Sequence, residues 1–163
     1  MSELQTDTDT DTVSPIEAQL GRLLGRPVEC DFEVVRWRAN APAVVRNAPF
    51  TRDGTPMPTR YWLADEALRR AVSRLESDGG VLQAASEVDS EAIAECHRQY
   101  AAEREAAIAV EYTGPRPSGG VGGTRIGLKC LHAHLAYWLA GGEDPVGAWV
   151  AQRLEPALVG ELQ

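Results

Sequence analysis

The chain is short of lysine and cysteine. Lys129 is the only lysine among 16 basic residues, and three cysteines in 163 residues are too few, and odd in number, for a disulfide framework. No apolar run approaches the roughly 18 residues that a membrane span needs. Met1 to Thr12 is acidic and polar, so the sequence predicts no secretory or transit signal and a cytoplasmic location. Positive charge is also scarce. A net charge of −8 disfavours nucleic acid and anionic membranes as partners. What is present, 44% apolar and 25% charged residues, is ordinary for a globular chain with one sizeable core.

Residues 1–13 read as a disordered acidic tail, because the Thr-Asp alternation from Thr6 to Thr12 has no apolar face to offset the entropy of ordering. Residues 14–160 read as a single domain. It opens with Ser14-Pro15-Ile16-Glu17, a capping box with proline at the first helical position, followed by the stripe Ile16, Leu20, Leu23, Leu24. Phe32 to Trp37, Ala43 to Arg46 and Thr59 to Leu63 are β-rich runs joined by turns too short for parallel crossovers. Asp65 caps a predicted helix carrying Leu68, Ala71, Val72 and Leu75, which Asp78-Gly79-Gly80 stops. A longer helix is predicted from Asp89 to about Glu111, with an oddly polar inward stripe that includes His97, Tyr100 and Arg104. Two more are predicted, one from about Leu128 to Leu139 and one opened by Asp144-Pro145 and limited by Pro156. The expected fold is α+β: a small antiparallel sheet at about residues 31–63, packed against four or five helices.

The stretch between Glu111 and Glu143 has no acidic residue and three basic ones, Arg116, Arg125 and Lys129. Its glycines precede a predicted helix, and consecutive amides in that position suit an anion. An anion or phosphate site is therefore expected at Arg116, Ser118, Gly119, Gly120, Gly122, Gly123, Arg125 and Lys129, although neither common nucleotide-loop pattern matches. Cys130, His132 and His134 follow and invite a metal. Inside a helix Cys130 and His132 point apart, whereas Cys130 and His134 share a face. Cys130 also reads as a thiolate at a helix N-terminus beside Lys129, with His132 or His97 as its base. Cys30 and Arg36 have the spacing of cysteine-dependent phosphatases, but Asp31 to Val35 between them is acidic and lacks glycine, so that motif is a coincidence.

Gly54 to Leu63, Ser73-Arg74-Leu75-Glu76 and Lys129-Cys130-Leu131-His132, taken in order, resemble a mainly actinobacterial family, the domain of unknown function numbered five hundred and one. The likeness spans about residues 18–150, and the family has no established activity. It implies a four-ligand zinc-type site in relatives, using Cys130, His132 and the positions held here by Trp37 and Asp65. Trp37 cannot ligate, and Asp65 could do so only as a carboxylate. The leading expectation is a non-catalytic regulatory or adaptor protein that binds a phosphate-bearing small ligand or a protein partner at the basic loop. The alternatives are a zinc-binding protein and a Cys/His-dependent hydrolase or redox enzyme centred on Cys130 and His132.

Overall fold

The computed structural model describes residues 13–163, so the tail expected over residues 1–13 lies, but for Val13, outside the described residues. The first helix, α1 (Pro15–Leu24), starts where the capping box places it. The Ser14 hydroxyl accepts from the Glu17 amide, and Gly25 closes the helix at a φ of 70°. Three strands follow, β1 (Phe32–Arg38), β2 (Ala41–Asn47) and β3 (Tyr61–Leu63), paired antiparallel in that order. β3 begins two residues after the expected start, because the Arg60 amide bonds to the Tyr100 hydroxyl and not to the ladder.

β2 is central and buried on both sides, with Ala43, Val44 and Val45 fully covered. Successive strand residues face opposite ways. Val44 accordingly joins the main core, while Val45 joins a smaller one with Leu20, Val28 and Ala64 beneath α1. The main core lies between the sheet and α2 (Glu66–Ser77), α4 (Ser90–Ala106), α5 (Leu131–Leu139) and α6 (Pro145–Ala151). Two short helices, α3 (Gly80–Glu87) and α7 (Pro156–Gly160), bring the described residues to seven, more than the four or five expected. α3 escapes the sequence pattern because Gly79, at a φ of 87°, ends one helix and admits the next.

The polar stripe of α4 is explained by what it holds. The buried Arg104 donates to the carbonyls of Pro58 (2.7 Å), Pro117 (3.3 Å) and Gly119 (2.8 Å). His97 accepts from the Val121 amide through Nδ1 at 3.0 Å and donates through Nε2 to the Gly127 carbonyl at 2.8 Å. α4 therefore presents hydrogen-bonding groups to the glycine-rich segment, which has no secondary structure beyond a 3-10 turn at Val121–Gly123. α4 ends at Ala106, short of the expected Glu111, where the chain turns to bury Ile108.

Candidate thiol site in an arginine-lined groove

α5 begins at Leu131, three residues later than expected, since Gly127 takes a φ of 72° and Cys130 is extended at −143°. Cys130 is thus the cap residue of α5, not part of it. His132 sits in the first turn, where a helical side chain leans back toward the N-terminus. The two meet, with Sγ 3.8 Å from His132 Nδ1. This reverses the helical expectation that Cys130 would pair with His134 and not with His132, because that rule applies only inside a helix.

Glu76, in the last turn of α2, completes the group. Its Oε1 accepts from the Leu131 amide at 2.7 Å and lies 3.2 Å from His132 Nδ1. His132 Nε2 is 3.2 Å from both the Arg69 carbonyl and the Ser73 hydroxyl. A carbonyl can only accept, so Nε2 carries a proton. Nδ1 then faces a sulfur and a carboxylate, and the ring is fully satisfied only when that nitrogen is protonated as well. The imidazole is accordingly pushed up from its ordinary value: burial opposes the charge, but the bonds and charges of Cys130 and Glu76 outweigh it. For the Cys130 thiol, burial alone would push it up. The His132 bond, the Ala133 amide and the His132 charge bring it below its ordinary value instead.

The ligand atoms of Glu76, Cys130 and His132 lie within 4.8 Å of one another, close enough for one ion. The set expected from the sequence, Cys130, His132, His134 and Asp65, is not assembled. Asp65 caps the Leu68 amide at 2.8 Å and pairs with Arg38 at 2.6 Å. Along α2 it lies eleven residues from Glu76, about 16 Å at the helical rise. His134 is buried, and its Nδ1 donates to Asp144 Oδ2 at 2.7 Å. Asp144 Oδ1 caps α6 by accepting from the Val146 and Gly147 amides, both at 2.9 Å. Cys96 joins these two within the same 4.8 Å limit, its thiol pushed up by burial and then by Asp144. His97 is engaged at both ring nitrogens.

Cys130 and His132 form part of the wall of a groove of about 860 Å³. Leu24, Tyr61, Trp62 and Leu63 belong to its lining, as do Arg26, Arg69, Arg70 and Arg74. Glu66 is the one acidic residue of that lining, and it pairs with Arg70. Sequence reasoning missed this arginine set, as it missed Glu76 and Ser73. The available signal was the spacing in α2: Arg69 with Ser73, and Arg70 with Arg74, each pair four apart and on one face.

The glycine-rich loop is built differently from the expectation. The Gly120 amide donates to the Thr124 carbonyl (2.7 Å), Val121 to His97 (3.0 Å), Gly123 to the Gly120 carbonyl (3.0 Å) and Thr124 to the Val121 carbonyl (3.2 Å). These amides are spent within the protein. The glycines allow contact with α4: a Cβ on Gly120 would lie 2.4 Å from His97 Nδ1, and one on Gly119 would lie 2.6 Å from the Gly123 carbonyl. Gly122 alone of the loop lines the groove. Arg116 pairs with Glu105, while Ser118, Arg125 and Lys129 are exposed.

The family model for proteins of unknown function DUF501 matches residues 33–152. No curated protein and no solved structure matches the chain. Both tetrapeptides at the site, Ser73-Arg74-Leu75-Glu76 and Lys129-Cys130-Leu131-His132, fall within the matched span and meet in the groove wall. By that match, which covers most of its length, the chain belongs to the DUF501 family.

Proposed function

We propose that the chain is a thiol-dependent hydrolase with Cys130 as nucleophile, His132 as its proton-transfer partner and Glu76 as the group that orients His132. One observation carries this reading: Cys130 Sγ stands at the N-terminus of α5, 3.8 Å from His132 Nδ1, in the wall of an 860 Å³ groove. The positive end of the helix and a cationic imidazole both favour thiolate over thiol. In the proposed step Sγ attacks an electrophilic acyl carbon. An S–C bond forms, the bond to the leaving group breaks, and the proton on His132 passes to the leaving group. Water, losing a proton to His132, then adds to the thioester carbon, the S–C bond breaks, the acid is released, and the thiolate beside protonated His132 is restored. Oxidant and metal are not required. The adaptor reading centred on the glycine-rich loop loses support, because the amides of Gly120, Val121, Gly123 and Thr124 are already bonded within the protein.

The test is mapped alkylation by iodoacetamide across pH, combined with a p-nitrophenyl acetate burst. Cys130 should react with a midpoint below the ~8.5 of a free thiol, and Cys130→Ser should abolish the burst. Alkylation of Cys130 no faster at pH 6 than that of a free thiol would end the proposal. A divalent ion recovered one-to-one with protein purified without chelator would also end it, by transferring Glu76, Cys130 and His132 to a zinc-type role.

A further inference from the structure

From the groove we infer the substrate class: a small molecule with a phosphate-bearing head and a compact apolar body. This rests on the groove being the substrate site of the proposed enzyme. Four arginines line it against a single carboxylate, Glu66, in a chain whose net charge is −8, so positive charge is concentrated at this concavity. The guanidinium groups are only partly engaged. Arg69 donates to the Leu23 carbonyl, Arg70 pairs with Glu66, and Arg26 rests over the Trp62 ring at 4.5 Å. Arg74 makes no ion pair among the described residues, although it stands one helical turn from Arg70. Each guanidinium has five donors in a planar fork, so these contacts leave most of the donors free.

One carboxylate neutralises one arginine, leaving the others to repel each other around it. A phosphate head, with up to two charges and three acceptor oxygens, can engage two or three guanidinium groups. Leu24, Trp62 and Leu63, which also line the groove, offer apolar surface for the remainder of the molecule. The Cys130 sulfur then lies beside the bound molecule while the head is held by the arginines.

Calorimetric titration with inorganic phosphate and pyrophosphate, against acetate at matched ionic strength, tests this on the whole chain. Pyrophosphate should bind with one-to-one stoichiometry and more tightly than phosphate, and acetate should not bind. Arg74→Ala and Arg26→Ala, both exposed positions, should each weaken pyrophosphate tenfold or more, while Arg116→Ala and Lys129→Ala change it less than twofold. Cys130→Ser should still bind pyrophosphate one-to-one while losing the acylation burst, so that failure of the thiol reading and failure of the phosphate reading are distinguishable. Absence of phosphate and pyrophosphate binding by the folded protein, or an unchanged affinity in Arg74→Ala, would overturn the inference.

Discussion

At Cys130 two effects oppose each other: burial disfavours a thiolate, and the neighbouring imidazole and amide favour it more strongly. Lowering the pH through the depressed thiol value protonates the sulfur and slows its reaction. Raising it through the elevated His132 value removes the cation beside it, and with it the charge that favours the thiolate. Burial pushes the other two thiols, Cys30 and Cys96, the opposite way. Mass spectrometry of the alkylated protein at pH 7 should accordingly find Cys130 modified well before either. Glu76 helps hold the His132 proton. Glu76→Gln should lower the His132 titration midpoint, seen in imidazole ¹⁵N shifts, and an unmoved midpoint would show that Glu76 does not orient the ring. Asp144 is a purely structural case. It caps α6 and accepts the buried His134 proton, so Asp144→Ala loses a cap worth ~1 kcal/mol and strands a buried donor at ~1–3 kcal/mol. Urea denaturation should show a combined loss of about 2–4 kcal/mol.

Between elements, α4 and the glycine-rich segment form one packed unit. The backbone at Gly120 approaches the His97 ring so closely that any Cβ must displace one of them. Gly120→Ala should destabilise the fold by about 1–3 kcal/mol, the usual cost of overpacking. Thermal unfolding measures this, and an unchanged melting temperature would show that the segment is free of α4. The start of α5 matters for the site in the same way. If α5 began at Leu128, as its apolar periodicity suggests, Cys130 would turn away from His132. The extended backbone at Cys130 and the Glu76–Leu131 bond hold the start where the two side chains meet.

For the molecule as a whole, the edge of the sheet is closed by the far end of the chain. Gln163 exchanges both backbone hydrogen bonds with Trp37, at 2.8 and 2.9 Å, and Arg38 bonds to the Leu158 carbonyl and to Glu161. Deleting residues 156–163 would leave the β1 edge and Arg38 without these partners, at roughly 0.5–1.5 kcal/mol per bond. Over these four bonds the loss is about 2–6 kcal/mol, which lowers the melting temperature by at least about 4 °C at this chain length. Hydrogen exchange should show faster exchange of the Trp37 amide, and no change there would mean the contact contributes nothing. No helix of the described residues is long and apolar enough to cross a membrane.

Local chemistry alone determined much of this protein. Ser14, Asp65, Asp89 and Asp144 cap their helices through bonds made within a few residues, which is why those boundaries were legible. The antiparallel pairing of β1 with β2 followed from the two-residue turn between them, and the membership of the family from short ordered motifs. Tertiary structure alone decided the site. Glu76 and Cys130 are 54 positions apart, and their meeting depends on α2 packing beside α5, which no local periodicity encodes. The glycine-rich segment was misjudged for the same reason. Its glycines are equally suited to approach a ligand or a helix, and only the position of His97 on α4 shows that they approach the helix.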